Sequence, residues 1–300
     1  MNESNKIFFI INKFSGTGFR TDVEGKIIDL CAQAGQECEI QYTQHRGHAT
    51  ELAQEAVRIR CPLVFAMGGD GTVNETARGL IHTPTALGIL PKGSGNGLAR
   101  HLGIPLAFAK AVALVAHHRI ETIDTVLING HLSVNVSGIG FDGHVAGLFG
   151  QKSQRGLIGY TRLVLQEYRS FGEFQATLQC DGKEHTRAAW VVALANSSQF
   201  GNNARVAPLA SVQDQRIDVC VVRKMPLYKA PFFLARLFNG TAHQSRYAEI
   251  FSARHISIHT RQAIAFHVDG EPLPSQQTWE VAIQPQSLRV VLPTSIQKKI

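Results

Sequence analysis

The sequence predicts an α/β domain built on a doubly wound parallel sheet, followed by an all-β antiparallel sandwich. Three observations carry that prediction. Before residue 123, fully apolar runs of strand length repeatedly end in glycine-rich turns that open into helical patterns. After Glu121, long helical periodicity becomes rare, and short alternating runs with hairpin turns take its place. The chain has 300 residues, enough for two domains with cores of their own. The boundaries read as 1–123 for the first domain and 124–300 for the second, with the last residues free to pack back on the first.

Taken in order, Ile7-Phe8-Phe9-Ile10-Ile11 is the pattern of a parallel strand buried on both faces. It ends in a first glycine-rich turn, Asn12 to Gly18. A helix fits 20–34, with Val23, Ile27, Ile28 and Cys31 on one face. Glu39–Thr43 is a short second strand, and a helix over 49–60 packs Leu52, Ala53, Ala56 and Val57. His48 starts that helix and reads as a histidine held by local hydrogen bonds. Leu63–Met67 is the third strand. It runs into Gly68-Gly69-Asp70-Gly71, and a helix follows from near Thr72 with Glu75 as a capping-box partner. Ala86–Leu90 is the fourth strand, and it enters Pro91-Lys92-Gly93-Ser94-Gly95-Asn96-Gly97. A helix over 106–117 closes the domain.

The second domain reads as strands at 125–128 and 131–136 around the Asn129-Gly130 turn, then 173–180, 189–195, 217–222, 255–259, 264–268, 279–283 and 288–292. Helical insertions fit 157–169 and 227–238. The latter offers Leu227, Tyr228, Phe232, Phe233, Leu234, Leu237 and Phe238, interleaved with Lys224, Lys229 and Arg236. Such a helix either contacts a membrane or packs on the sandwich.

Composition narrows the partners. A formal charge of +7 favours an anionic one, a nucleotide or an anionic membrane surface. No dense Lys/Arg run or basic-aromatic pattern appears, so nucleic acid is not expected. The five cysteines are scattered and form no C-x-x-C pair, which argues against a disulfide framework or a zinc site. No apolar run approaches ~18 residues, and the N-terminus lacks a signal-peptide layout. A cytoplasmic protein that meets membranes only peripherally is the expectation. A homodimer is compatible with the sequence.

The chemistry lies in the glycine turns. A strand that turns through glycine into a helix N-terminus lets backbone approach a phosphate, and the helix dipole favours negative charge. Two such units in succession place two phosphate-grade loops at one sheet edge. Asp70 inside the first would repel a phosphate unless a cation lies between them or it accepts a proton. Neither loop has the G-x-x-x-x-G-K-[ST] order of a Walker A motif.

Gly68-Gly69-Asp70-Gly71-Thr72-Val73-Asn74-Glu75 and Pro91-Lys92-Gly93-Ser94-Gly95-Asn96 together resemble the catalytic domain shared by diacylglycerol kinases, sphingosine kinases and bacterial lipid kinases. That domain is distantly similar to NAD kinases and phosphofructokinases. The resemblance extends to both ends of the chain. It implies ATP and Mg²⁺ as cofactors and transfer of the γ-phosphate to a lipid hydroxyl in an interdomain cleft. For the nucleotide it implies Asn12, Thr43, Gly68, Gly69, Asp70, Gly71, Thr72, Glu75, Gly93, Ser94, Gly95 and Arg155. Thr43 with Gly47-His48-Ala49 matches a further family string. Lys13 stands where the family usually has proline.

In the second half, Asp142 of Gly140-Phe141-Asp142 is the candidate for orienting the acceptor. Asp269-Gly270-Glu271 resembles the family's second carboxylate motif. Either Glu271 or Asp70 would be the proton acceptor, with Asp269 beside the metal and phosphates. Bacterial relatives hold a structural Mg²⁺ in a segment that maps onto Ser211, Asp214 and Arg216. Gln215 replaces the glycine usual there. Two other readings stay open: a kinase of a soluble hydroxyl compound on the NAD kinase pattern, and a non-catalytic nucleotide-binding protein.

Overall fold

A computed structural model of the chain describes residues 6–16, 22–151 and 157–294. The chain divides into two compact units, Met1–Asp124 with Pro285–Ile300, and Thr125–Gln284.

The first unit alternates strands and helices: β1 (Lys6–Ile11), α1 (Val23–Gln33), β2 (Glu37–Tyr42), α2 (His48–Arg58), β3 (Leu63–Gly68), α3 (Asp70–Leu80), β4 (Ala86–Pro91), α4 (Gly97–His101) and α5 (Phe108–Val112). Its strands pair in parallel in the order β2-β1-β3-β4. Residues 7–11 and 63–68 are buried throughout, because helices cover both faces of such a sheet. Phe9 stacks on Phe65 across β1 and β3, with ring centroids 5.3 Å apart. The order in which strands are added to the sheet reverses between β1 and β3, so the turns after these two strands flank the switch point where open sheets bind ligands.

The second unit is antiparallel. It contains the end of β5 (His118–Ile128), β6 (His131–Ser133), β7 (Val136–Gly140), α6 (Phe141–Gln151), α7 (Leu157–Glu167), β8 (Phe174–Cys180), β9 (Lys183–Ala189), β10 (Val191–Ala195), β11 (Ile217–Val222), α8 (Ala230–Asn239), β12 (Ala248–Ala253), β13 (His255–Val268) and the start of β14 (Glu271–Pro293). The order β12-β11-β10-β7-β13-β14 is continuous, with β8 also on β13 and β9 on β8. From Pro285 onward β14 belongs to the first unit, where Val290 pairs with Leu87 of β4.

β10 and β11 explain why this unit needs helices. Val192 and Leu194 face a core with Val219, Val221, Ile258 and Trp279. Val191 and Ala193 face the other way, with Cys220 and Val222, into a core that holds Phe141, Tyr168 and Trp190. Phe141 and Trp190 stack at 4.0 Å, and the Tyr168 hydroxyl donates to the Met225 carbonyl at 2.6 Å.

Several expected elements differ. The first helix begins at Val23. The helix expected over 106–117 is α5 followed by a 3-10 turn, Ala113–Val115. The strands read separately at 255–259 and 264–268 are one strand, β13, whose register against β14 shifts between His259 and Ile264. The runs at 279–283 and 288–292 both lie in β14. The helix expected from residue 227 is a 3-10 turn, Leu227–Lys229, and then α8. The helix expected from near Thr72 begins at Asp70, with Gly69 in extended conformation as its N-cap. Glu75 closes no capping box. Its carboxylate accepts the Ala49 N–H of α2 at 3.4 Å.

That contact belongs to a close α2–α3 packing. A Cβ on Gly79 would lie 2.6 Å from the Ala53 Cβ and 2.7 Å from the Thr50 carbonyl. Helix propensity favours alanine over glycine by about 1 kcal/mol, but overpacking against a backbone costs about 1–3 kcal/mol. Gly79→Ala is therefore expected to lower the melting temperature by a few degrees. A calorimetric scan showing an increase would refute the tight crossing.

Candidate functional site

Three turns of the first unit meet backbone to backbone. The Lys92 and Gly93 N–H groups both donate to the Gly68 carbonyl, at 2.8 and 3.2 Å. A Cβ on Gly93 would stand 2.5 Å from the Gly69 Cα, so the second loop reaches the first only with glycine there. Gly16, at φ +64°, sits against the Lys92 carbonyl, which a Cβ would approach to 1.9 Å. Asn12 holds the first loop on both sides. Its Nδ2 donates to the Thr72 hydroxyl at 3.1 Å, and its Oδ1 accepts the Phe14 N–H at 2.9 Å. The Ser15 hydroxyl accepts the Gly69 N–H at 3.3 Å. Lys92 donates from Nζ to the carbonyls of Lys13 and Ser15, and burial pushes its pKa down. The Thr43 N–H, at the end of β2, donates to the Ile11 carbonyl at 3.0 Å.

Asp70 is the clamp between the loops. Its Oδ2 accepts the Asn96 N–H at 2.9 Å and its Oδ1 the Gly97 N–H at 2.7 Å. Asn96 takes a left-handed φ of 51°, and its amide accepts the Gly93 N–H at 3.0 Å while donating to the Gly93 carbonyl at 2.7 Å. Around this frame Gly71 and Ser94 stay exposed. A Cβ on Gly71 would meet nothing within 4 Å. Of the nucleotide candidates, Asn12, Gly68, Gly69, Thr72 and Gly93 share direct contacts, and Asp70 reaches the second loop through Asn96 and Gly97. Glu75 is turned toward α2, and Arg155 lies outside the described residues.

A second cluster forms in the other unit. Asp269 and Gly270 make a hairpin turn with φ values of 49° and 87° between β13 and β14, and Glu271 opens β14 opposite Val268. Asp269 is buried. Its Oδ1 accepts the Ser133 hydroxyl at 2.6 Å and the Asn135 N–H at 3.1 Å, and its Oδ2 accepts the Val134 N–H at 2.8 Å. These bonds tie the hairpin turn to the end of β6 and the β6–β7 loop. Glu271 is half-buried beside it.

His267 links this turn to Asp142. Its Nδ1 accepts the Gly270 N–H at 3.0 Å, which leaves the ring proton of the neutral form on Nε2. Nε2 lies 3.4 Å from Asp142 Oδ2, an ion-pair distance rather than a close hydrogen bond. Asp142 also accepts the Gly143 N–H at 2.8 Å. A Cβ on Gly138 would strike Oδ2 at 1.7 Å.

Ser211, Asp214 and Arg216 lie in the turn ahead of β11. Asp214 Oδ1 accepts the Arg216 N–H at 3.0 Å, and Gln215 takes the left-handed φ of 59° that glycine would adopt more cheaply. The Arg216 guanidinium is drawn to Ser252 and lies 3.7 Å from Asp181. The donors offered here, a carboxylate and backbone carbonyls, are hard oxygens that suit Mg²⁺. Burial pushes the pKa of nearby Asp218 up. Among the described residues, His45, His48 and Glu51 bring their donor atoms within 4.8 Å of one another. His48 Nδ1 already accepts the Gln44 N–H at 3.0 Å, so neutral His48 keeps its proton on Nε2 and is a poor ligand as it stands.

Asn96, His267, Ser133 and Asn135 were not singled out by sequence. Asn96 had a usable signal, since asparagine between glycines is prone to the left-handed region. The others answer to partners far along the chain.

Two family profiles cover nearly the whole chain. The diacylglycerol kinase catalytic domain matches residues 6–128, and the YegS C-terminal NAD kinase beta sandwich-like domain matches residues 135–292. A probable lipid kinase YegS-like protein of Chromohalobacter salexigens is 26% identical over 267 residues, covering 87% of this chain and 86% of the relative. A probable lipid kinase YegS of Salmonella arizonae is 27% identical over 275 residues, covering 89% and 90%. The solved structure of a diacylglycerol kinase from Bacillus anthracis str. Sterne aligns with a TM-score of 0.76 at 21% identity, covering 99% of this chain and 100% of that one. A further solved chain from that organism reaches 0.81 at 24% identity. At these identities the structural likeness speaks for the fold. Among the described residues no helix is long and apolar enough to cross a membrane.

Asp269, which pins the turn, gives a testable contrast with Glu271. Removing a buried acceptor strands its donors at about 1–3 kcal/mol each. Asp269→Ala is expected to destabilise the protein by about 3 kcal/mol or more, read as a shift in the urea midpoint. Glu271→Gln should leave that midpoint near the parent value. Equal midpoints for all three proteins would contradict the assignment of Asp269 as the pin.

Proposed function

The chain belongs to the diacylglycerol kinase family with a YegS-type second half, and on that premise we propose that it transfers the γ-phosphate of ATP to the hydroxyl of a lipid. Gly71 carries the reading. Glycine is a poorer helix former than alanine. Neither packing nor a positive φ requires it here. Close approach of a ligand to the α3 N-terminus does require it, and a phosphate is the ligand such a terminus favours.

Asn12, Thr43, Gly68, Gly69, Gly71, Thr72, Gly93, Ser94, Gly95 and Arg155 are the residues proposed to receive the nucleotide. Asp70 acts by holding the two loops in register and presenting negative charge to the cation that accompanies ATP. Mg²⁺ bound with the nucleotide would neutralise phosphate charge. Glu271 is preferred to Asp70 as base, because both Asp70 oxygens already accept backbone N–H groups. The lipid oxygen attacks the γ-phosphorus and the bond to the ADP oxygen breaks. The hydroxyl proton passes to Glu271. Asp269 fixes the turn that carries Glu271, and Asp142 with His267 orients the acceptor. Asp214, with the carbonyls of Ser211 and Arg216, is the proposed structural Mg²⁺ site. Diacylglycerol, a sphingoid base and phosphatidylglycerol are the acceptor classes. The setting is phospholipid metabolism in the cytoplasm.

The test uses labelled ATP and Mg²⁺ with a lipid panel and with NAD. Label should appear in lipid, and Glu271→Gln should reduce kcat by about 100-fold or more. Label in NAD alone, or full turnover by the variant, would overturn the assignment. Gly71→Ala should raise the KM for ATP while stabilising the fold by about 0.5–1 kcal/mol. An unchanged KM would remove the argument from this glycine.

A further inference from the structure

α8 is joined to its unit along one narrow stripe. Ala230, Phe233 and Leu237 pack, half-buried, against the core that contains Trp190 and Met225, and no residue of the helix is fully buried. The opposite side is apolar as well. Phe232 is 73% exposed and Tyr228 71%, with Leu234 and Phe238 also open. Leu209 stands 78% exposed in the loop whose Arg205 N–H donates to the Leu237 carbonyl at 2.9 Å. Large apolar side chains gathered in this way mark an interaction surface.

Cations surround them. An open groove of about 400 Å³ is lined by Tyr228, Lys229, Phe232, Arg236, Arg246 and Tyr247, and no carboxylate lines it. Lys229 Nζ lies 5.6 Å from the Tyr228 ring centre and 5.9 Å from that of Tyr247, and the Arg246 guanidinium lies 5.0 Å from the latter. Arg246 donates to the Tyr247 hydroxyl and holds that phenol below its usual pKa range. From Arg223 to Tyr247 the sequence has no Asp or Glu.

We propose that this face of α8 docks on an anionic bilayer, with Tyr228, Phe232 and Phe238 entering the interface and Lys229, Arg236 and Arg246 meeting lipid phosphates. Aromatic side chains with cations at their flanks suit the boundary between headgroups and acyl chains. A second copy of the chain is a poor occupant, because two-fold pairing would set these cations against themselves without a carboxylate to answer them. The inference deepens the lipid kinase reading, and its first assay needs no turnover.

The experiment is co-sedimentation of the full chain with vesicles of phosphatidylcholine, with and without phosphatidylglycerol. Binding should require the anionic lipid and weaken as salt rises. Phe232→Ser with Tyr228→Ser should reduce the partition coefficient about tenfold or more. Lys229→Glu and Arg236→Glu should each reduce it about fivefold. Melting temperatures should hold, since these side chains are largely exposed. Phosphorylation of detergent-dispersed lipid should also hold, while turnover on vesicles falls. Failure of the parent protein to bind anionic vesicles, or parental binding by the double variant, overturns the proposal. So does a parent dimer that Phe232→Ser turns into monomer. Lipid phosphorylation in detergent without vesicle binding would sink this inference and leave the kinase reading intact.

Discussion

The contact on which the first unit depends is the approach of Gly93 to Gly69. Two backbones from separate strands come so close that a single added carbon at Gly93 would sit inside van der Waals range. Hydrogen bonds from Lys92 and Gly93 to the Gly68 carbonyl, and the two donated to Asp70, tie the loops together there. Several glycines of these loops are therefore demanded by packing before any ligand is considered. Gly68 belongs with them, since a Cβ would fall 2.4 Å from the Thr72 hydroxyl. Subtracting the packing glycines is what leaves Gly71 as a residue with no structural reason of its own.

The second unit repeats the logic with different materials. Its hairpin between β13 and β14 could pivot freely were it held by the turn alone. Asp269 prevents this by reaching residues 134 to 136 positions earlier in the chain. A buried carboxylate is costly unless donors surround it, and here three do. The Ser137 hydroxyl adds a fourth tie, accepting the Asp269 N–H at 3.2 Å. The same turn feeds its Gly270 N–H to His267, so the position of Glu271 is fixed from both sides of the hairpin.

Much of this frame is legible in the sequence, and for definite reasons. β1, β3 and β4 are buried on both faces and so appear as unbroken apolar runs. The Asn129-Gly130 hairpin is readable because its backbone, with φ of 48° and 81°, asks for those two residues. β9 and β12 escape notice because their half-exposed sequences, KEHTRAA and AEIFSA, lack clean alternation. The register shift inside β13 hides one long strand as two short ones. The start of α3 is misread because Thr72 and Glu75 imitate a capping box while Glu75 bonds to another helix. Asp269 shows the deeper limit. Its motif is visible, but its work is defined by Ser133, Val134 and Asn135, and no local pattern announces a partner so distant.

The division of labour among the acids follows from side-chain length. Asp70 and Asp269 each accept backbone N–H groups from a neighbouring loop, at distances between 2.7 and 3.1 Å. A short side chain with few rotamers suits that task, since it loses little entropy when clamped. Glutamate adds a methylene and a further torsion, which suits a group that must reach toward a substrate hydroxyl and then carry its proton. On the proposed reading the chain places aspartate where geometry must be held and glutamate where chemistry must be done. The two motifs look interchangeable as Gly-Asp-Gly and Asp-Gly-Glu strings. They part company once the aspartate oxygens are followed to their donors, which commit both aspartates to holding loops in place.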